Sequence, residues 1–367
     1  MLIAVNTRLQ KNQQPDGYES FMFGILQNLS NKYAQHHFIF IFDRPYDTNI
    51  GFAKNVLPII AGPQTTNSLH LQYWLNFKVP KILRQHNADV FVNLEGMCCL
   101  RTKIPQCLLI TGYGLQQDMQ LQKKWLAAFY KKKLPIFFSK AKSIVAVSEF
   151  VKLGISNQYG VDTKKIGVLH PAIAKIYKPA GWKEQEIIKE KYAAGKAYFL
   201  FSGNINENSN HINLLKAFSF FKARQKTNML LLIAGKPTAK FANELSTYKW
   251  RNHIKLFENL TATELANITA AAYSLVFPVT NDVLATPVLQ AMQCQVPVIV
   301  ANTDPMRSIC GEAAIYCNAT NFNDIAQKMI LVFKEEEKMK DMAVKGKMLM
   351  QKHDAGKASE ILMQQIK

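Results

Sequence analysis

Short apolar runs alternate with helical patterns along the whole of this chain. That alternation restricts the fold to parallel sheets covered by helices on both faces. In the first half the strand-like runs are LIAVNT (2–7), HFIFIFD (37–43), NVLPIIAG (55–62), ADVFVNLEG (88–96), QCLLITGY (106–113) and SIVAVS (143–148). Helical periodicity covers 18–33, 68–87, 119–141 and 149–158 between them. The second half repeats the scheme with AYFLFSG (197–203), MLLLIAG (229–235), HIKLFEN (253–259), SLVFPVT (274–280), PVIVANT (297–303) and AAIYC (313–317). Helices fit 210–225, 237–248, 261–272, 286–294 and 321–335, and Thr261 with Glu264 forms a capping box. Residues 171–195 hold two prolines and the charged piece WKEQEIIKEKY, and read as a connection. The expectation is an α/β chain with one doubly wound domain over 1–172, a linker over 173–196, a second domain over 197–335, and C-terminal helices over 336–367 returning toward the first domain. Rossmann-like halves bind ligands at the carboxyl ends of their strands.

Composition narrows the class. With 48% apolar residues the chain can bury two cores, which excludes disorder. No apolar run approaches the ~18 residues of a membrane span, and the N-terminus turns polar at Asn6, too early for a secretory signal. The expected location is cytoplasmic. Six cysteines at 98, 99, 107, 294, 310 and 317 form no CxxC and no metal spacing, so they read as buried reduced thiols. The net charge is +19, and residues 1–179 hold +13 of it. Lys123, Lys124, Lys131, Lys132, Lys133, Lys140 and Lys142 are interleaved with Trp125, Phe129, Tyr130, Phe137 and Phe138. A helix of this kind suits an anionic membrane surface or an acidic polymer, placing the protein peripherally at the inner membrane face. A solvated lysine face with inward-pointing aromatics is the other reading. The remaining lysines are scattered without a recognised module, so nucleic acid is not an expected partner.

Several catalytic devices are absent: GxGxxG after the first strand, GxxxxGK[ST], HExxH, GxSxG and any D-x-D for a metal-bound sugar diphosphate. No metal and no cofactor are expected. What remains are two strand-to-helix corners. In YFLFSGNINENSNHINLLKAF a strand ends at Gly203 and a helix begins near Asn210, where unpaired N–H groups would suit a phosphate. In SLVFPVTNDVLATPVLQAM a strand ends at Pro278, a loop carries Asn281 and Asp282, and a helix starts around Thr286-Pro287, with Gln290 inside it.

Together with GYESFMFGILQNL near the start, SKAKSIVAVSEFVKLGISNQYGVDTKKIGVLHPAI, LLLIAGK, ITAAAYSLVFP, PVIVANT and CGEAAIYC, these corners resemble, collinearly over more than 300 residues, the retaining glycosyltransferases of family 4, the group 1 transferases of GT-B fold. The resemblance implies two Rossmann-like domains facing across a cleft. In the family a glutamate after the "FP" strand contacts the donor sugar, and a second one inside the helix holds the ribose; these positions align with Asp282 and Gln290. Gln290 retains an acceptor but not the charge. A charge-assisted bond contributes about 1.5–3 kcal/mol against about 0.5–1.5 for a neutral one, so ribose binding weakens by roughly tenfold. The loop glycines align with Val283 and Ala285, and the diphosphate-neutralising Arg-Lys pair with Asn208 and Ser209, while Asn210 is kept. Lys236, ending the next strand, would supply the missing cation; an exposed lysine at a strand end is the other reading. The family's His-Asp aligns with Thr111 and Gly112, and Gly17 belongs to the glycine loop.

The resemblance therefore implies a metal-independent enzyme that moves a sugar from a nucleotide-diphosphate sugar, its co-substrate, to a glycan or lipid-linked acceptor with retention. Asp282 is its catalytic carboxylate. The donor would lie on Gly203, Asn208, Ser209, Asn210, Lys236, Asp282, Ala285, Thr286 and Gln290. The acceptor would enter around Gly17 and residues 111–114, including Thr111 and Gly112. The alternative is a catalytically impaired GT-B protein with a nucleotide- or glycan-binding or scaffolding role.

Overall fold

The computed structural model describes residues 1–8, 17–46, 51–112, 124–203, 205 and 209–367, with backbone alone for 17–20 and 124–127. The chain divides into two compact units, Met1–Ala172 with His353–Lys367, and Ile173–Lys352.

The first unit runs β1 (Leu2–Asn6), α1 (Gly17–Lys32), β2 (His37–Phe42), β3 (Val56–Ile60), α2 (Ser68–Tyr73), a π turn (Trp74–Lys78), α3 (Val79–Gln85), β4 (Val90–Asn93), β5 (Gln106–Ile110), α4 (Lys124–Lys140), β6 (Ser143–Ala146), α5 (Glu149–Tyr159) and β7 (Ile166–Val168). Its sheet is parallel, in the order β3-β2-β1-β4-β5-β6-β7. The strands of the sheet centre are buried at nearly every position rather than alternately, because helices cover both faces. Ser148 caps α5 through Val151 N, and Gly160 closes it in the left-handed conformation.

The second unit runs α6 (Trp182–Ala193), β8 (Tyr198–Ser202), α7 (His211–Gln225), β9 (Leu230–Ala234), α8 (Ala239–Thr247), β10 (Ile254–Phe257), α9 (Ala262–Ala270), β11 (Ser274–Phe277), α10 (Thr286–Gln293), β12 (Val298–Ala301), α11 (Asp304–Cys310), β13 (Ile315–Cys317), α12 (Phe322–Lys334) and α13 (Glu336–Met350). Its parallel sheet has the order β10-β9-β8-β11-β12-β13. The Thr261–Glu264 capping box is present.

Residues 171–195 are more than a connection. Within them α6 packs on α9, burying Ile188 and Tyr192, and the Tyr192 hydroxyl reaches Glu264 at 3.3 Å. The C-terminal helices also part company. Helix α13 stays with the second unit against α10 and α12, and only α14 (Ala355–Ile366) lies on the first, against α1 and the β5–β7 end of the sheet. Apolar burial of Leu362, Met363 and Ile366 holds α14 there, aided by Ser143 Oγ donating to Gln365 O at 2.5 Å. All six cysteines are buried and free, and burial pushes those at 98, 99, 107, 294, 310 and 317 up to about 11 or 12, which leaves them inert thiols. Among the described residues no helix is long and apolar enough to cross a membrane. Leu362 is fully buried, so Leu362→Ala should cost the first unit about 2–5 kcal/mol in urea unfolding, through loss of α14 packing.

Candidate functional site

In the second unit the order of strand addition reverses between β8 and β11, and the ends of β8, β9 and β11 meet there. Gly203 N donates to Ala234 O at 3.0 Å. A Cβ on Gly235 would stand 2.1 Å from the Gly203 carbonyl oxygen, so only glycine lets the two backbones touch. Gly203 itself adopts φ +135° beside Phe277 and Pro287. Asn210 Nδ2 donates to Pro278 O at 3.1 Å, tying the start of α7 to the end of β11. The two corners singled out in the sequence thus form one corner of the fold.

Helices α2, α5, α8, α9, α12 and α14 begin with side-chain caps from Asn67, Ser148, Thr238, Thr261, Asn321 and Asp354. Helices α3, α6, α7, α10, α11 and α13 have no such cap, and among the described residues only α7 and α10 start from left-handed N-caps, Asn210 (φ 56°) and Ala285 (φ 49°). Two positive helix ends therefore lie side by side at the switch point, the arrangement that binds an anion through backbone N–H groups. Behind α7, buried Ser209 places Oγ 3.0 Å from His211 Nδ1. The imidazole packs edge-on to Phe241 and turns Nε2 toward Glu244, 3.6 Å away.

Asp282 is half-buried, and its Oδ1 accepts from both Leu284 N and Ala285 N at 2.9 Å. Burial raises its pKa, and the two N–H groups partly oppose that shift. The carboxylate therefore also holds the loop that delivers α10. Thr286 opens the helix, and Gln290 lies half-buried one turn in, while Val288, Leu289, Ala291 and Met292 face the core. Lys236 is exposed beyond the end of β9. Asn208 lies outside the described residues. Among the described residues no His/Cys/Asp/Glu cluster could hold a metal ion.

The first unit has an equivalent switch point between β1 and β4, and it carries a charged network that the sequence reading did not anticipate. Asn6 and Asn93 are register partners at the strand ends. Arg8 Nε donates to Glu95 Oε2 at 2.8 Å, its Nη2 pairs with Glu95 Oε1, and its Nη1 donates to Thr65 Oγ1 at 2.7 Å. Thr65 Oγ1 donates onward to Asp43 Oδ2 at 2.6 Å. Asn6 Nδ2 donates to Glu95 Oε2 at 2.8 Å, and Tyr130 OH to Glu95 O at 2.8 Å. All these side chains are buried, and Asn93 Nδ2 is a buried donor with no hydrogen-bond partner among the described residues. Burial alone would lower the Arg8 pKa, but the Glu95 carboxylate more than reverses this and holds the guanidinium charged. Burial works to raise the Asp43 pKa, but Arg44 and Thr65 hold it below the ordinary carboxylate value. The signal was present as polar residues ending the apolar runs IAVNTR and VFVNLE, on the two strands that flank the switch. Thr111 is buried just beyond β5 and Gly112 has φ +101°, while Gly17 opens α1. Residues 113–114 lie outside the described residues.

The chain is similar to known proteins over most of its length. Residues 183–348 match the family described as glycosyl transferases group 1. Over 282 residues the chain is 22% identical to the O-antigen chain mannosyltransferase RfbU of Salmonella typhimurium, covering 74% of each protein. Over 211 residues it is 22% identical to O-antigen chain mannosyltransferase B of Escherichia coli, covering 55% of this chain and 54% of that protein. The crystal structure of a glycosyltransferase from Rickettsia africae superposes with a TM-score of 0.79 at 15% identity, covering 99% of this chain and 97% of that one. HepE of Anabaena in complex with UDP and glucose gives 0.75 at 11% identity, covering 99% and 98%. The likeness to these structures is one of fold, and the fold is GT-B.

The Arg8 network generates a test. Arg8→Met strands the Glu95 carboxylate in the core and should cost about 3–5 kcal/mol, whereas the double variant Arg8→Met/Glu95→Met should recover most of that loss in chemical denaturation. A double variant as unstable as the single one would contradict the pairing.

Proposed function

Starting from a chain of GT-B fold whose residues 183–348 match glycosyl transferases group 1, we propose that it transfers a sugar from a nucleotide-diphosphate sugar to a glycan or lipid-linked acceptor, without a metal and with retention. The observation that carries this reading is the pair of uncapped helix starts, α7 and α10, joined at the second unit's switch point. The donor diphosphate binds there, on the N–H groups of the first turns and the Gly203 corner. The helix ends stabilise the charge that develops on the leaving nucleoside diphosphate, the role a metal or an arginine fills in other transferases.

In this arrangement Gln290 faces the ribose, Lys236 supplies the nearby cation, and Asp282 contacts the donor sugar. Ser209 and Asn210, with Ala285 and Thr286, shape the phosphate seat. The first unit carries the acceptor around Thr111, Gly112 and Gly17. The relatives named as O-antigen chain mannosyltransferases favour a mannosyl donor and a surface polysaccharide as product.

A transfer assay over a panel of nucleotide sugars tests the reading, with mannose donors expected to be consumed. Asp282→Asn should lower turnover by about tenfold or more at an unchanged melting temperature, because the amide oxygen still accepts from Leu284 and Ala285. Asp282→Ala should lose activity and about 1 kcal/mol of stability as well. Gln290→Glu should tighten donor binding. If no sugar is transferred and neither position alters nucleotide affinity, the chain is the catalytically impaired binding or scaffolding protein instead.

A further inference from the structure

The start of α7 carries a polar chain that the proposed chemistry leaves without a role. Ser209 immediately precedes the left-handed N-cap Asn210, and His211 is the first residue of the helix. Ser209 Oγ lies 3.0 Å from His211 Nδ1, and His211 Nε2 faces Glu244 Oε2 across 3.6 Å. Both Ser209 and His211 are buried, while Glu244 is one-third exposed. The Phe241 ring stands at 83° to the imidazole with centroids 4.8 Å apart, which fixes the plane of the histidine between its two neighbours. Phe241 and Glu244 are three apart on α8, so one helix face supplies both the wall and the carboxylate.

The two partners determine where the protons lie. A carboxylate only accepts, so Nε2 keeps its proton toward Glu244, and in the neutral ring Nδ1 is the acceptor. Ser209 then donates its hydroxyl proton to Nδ1 and turns lone pairs outward, an arrangement that repels a phosphate oxygen. In the charged ring both nitrogens donate, Nδ1 to Ser209 Oγ and Nε2 to Glu244. The Ser209 hydroxyl is released to donate, and a full positive charge stands in the first turn of α7. Both changes favour an anion at that helix end. Of the other charged groups nearby, Lys216 of α7 and Lys236 and Lys240 before and within α8 are exposed. Asp324 of α12, the helix packed on α7, is engaged by Asn318 N and Lys328. Glu244 is therefore the carboxylate that balances the imidazolium.

We infer, on the reading that the donor diphosphate lies at the α7 start, that His211 is a proton-linked positioning residue of that seat. Binding of the anion draws one proton from solvent onto Nδ1, and the charged ring, balanced by Glu244, supplies part of what an Arg-Lys pair would. His211 acts through the Ser209 hydroxyl and through its charge. A proton and an anion that favour one another each tighten the other's binding. Histidine changes charge between about pH 5 and 8, whereas arginine and lysine stay charged there, so donor affinity follows pH in this chain.

The test is calorimetric titration of the full chain with GDP-mannose and with UDP-glucose, whose diphosphates are diesters and keep one charge over about pH 5.5 to 8.5. Heats in two buffers of different ionisation enthalpy count the protons taken up. Wild type should take up a proton near neutral pH and lose affinity by up to about tenfold per pH unit as pH rises, the slope of a one-proton linkage. His211→Gln, which keeps a hydrogen-bonding side chain toward Ser209, should bind with no proton uptake and little change over the same range. Glu244→Gln should reduce the uptake without loss of fold, since that side chain is partly exposed. In the ligand-free protein, histidine nitrogen shifts should show neutral His211 in the Nε2–H form. Donor binding by wild type without proton uptake, uptake retained in His211→Gln, or a neutral His211 protonated on Nδ1 would overturn the inference and leave the diphosphate seat standing. Binding of neither nucleotide sugar at any pH would overturn both.

Discussion

Burial of both faces of a parallel sheet dictates where this protein can keep polar chemistry. Strands such as YFLFS and LLLIA are apolar at nearly every position because helices cover them above and below. Polar and flexible residues are then admitted only beyond the strand ends, and the carboxyl ends at the switch point are where a crevice opens. In both units the unusual residues collect at that place: Asn6, Arg8, Asn93 and Glu95 in one, Gly203, Asn210, Gly235 and Asp282 in the other.

The two ends are equipped differently. In the first unit charges satisfy one another, with Arg8 spanning Glu95 and Thr65, and the result is a rigid polar floor. In the second unit backbone does the work. The Gly203–Gly235 contact brings β8 and β9 together, Asn210 joins α7 to β11, and the two helices that start at the switch point do so from left-handed residues without side-chain caps. Where the family resemblance leads one to expect an arginine, a lysine and a glutamate, this chain has Asn208, Ser209 and Gln290. On the proposed function a diphosphate would be held by helix ends and the cation Lys236 rather than by an Arg-Lys pair, which makes the site weaker per contact.

Much of the fold was legible in the sequence. Each apolar run became a parallel strand, shortened at its end where Thr7, Gly203 or Pro278 begins the corner, because burial on both faces writes a nearly unbroken apolar signature. Less legible was whatever depends on three-dimensional partners. Helix α6 passed for a connection because its charged residues outnumber Ile188 and Tyr192, and α11 is too short for periodicity to register. On α4 the aromatics pointed inward, a choice that sequence spacing leaves open. The corners at Gly203 and Asp282 were found through resemblance and local pattern. The Arg8–Glu95 pair, 87 residues apart, was not, since no local signal links an arginine after β1 to a glutamate after β4.

The central claim is that the second unit's switch point seats a nucleoside diphosphate, and amide hydrogen exchange followed by mass spectrometry measures this most directly. Saturating nucleoside diphosphate should slow exchange in peptides covering residues 209–213 and 284–288, where α7 and α10 begin, and leave the β1–β4 end of the first unit unchanged. Protection confined to the first unit, or none in either helix start at saturating ligand, would contradict the account.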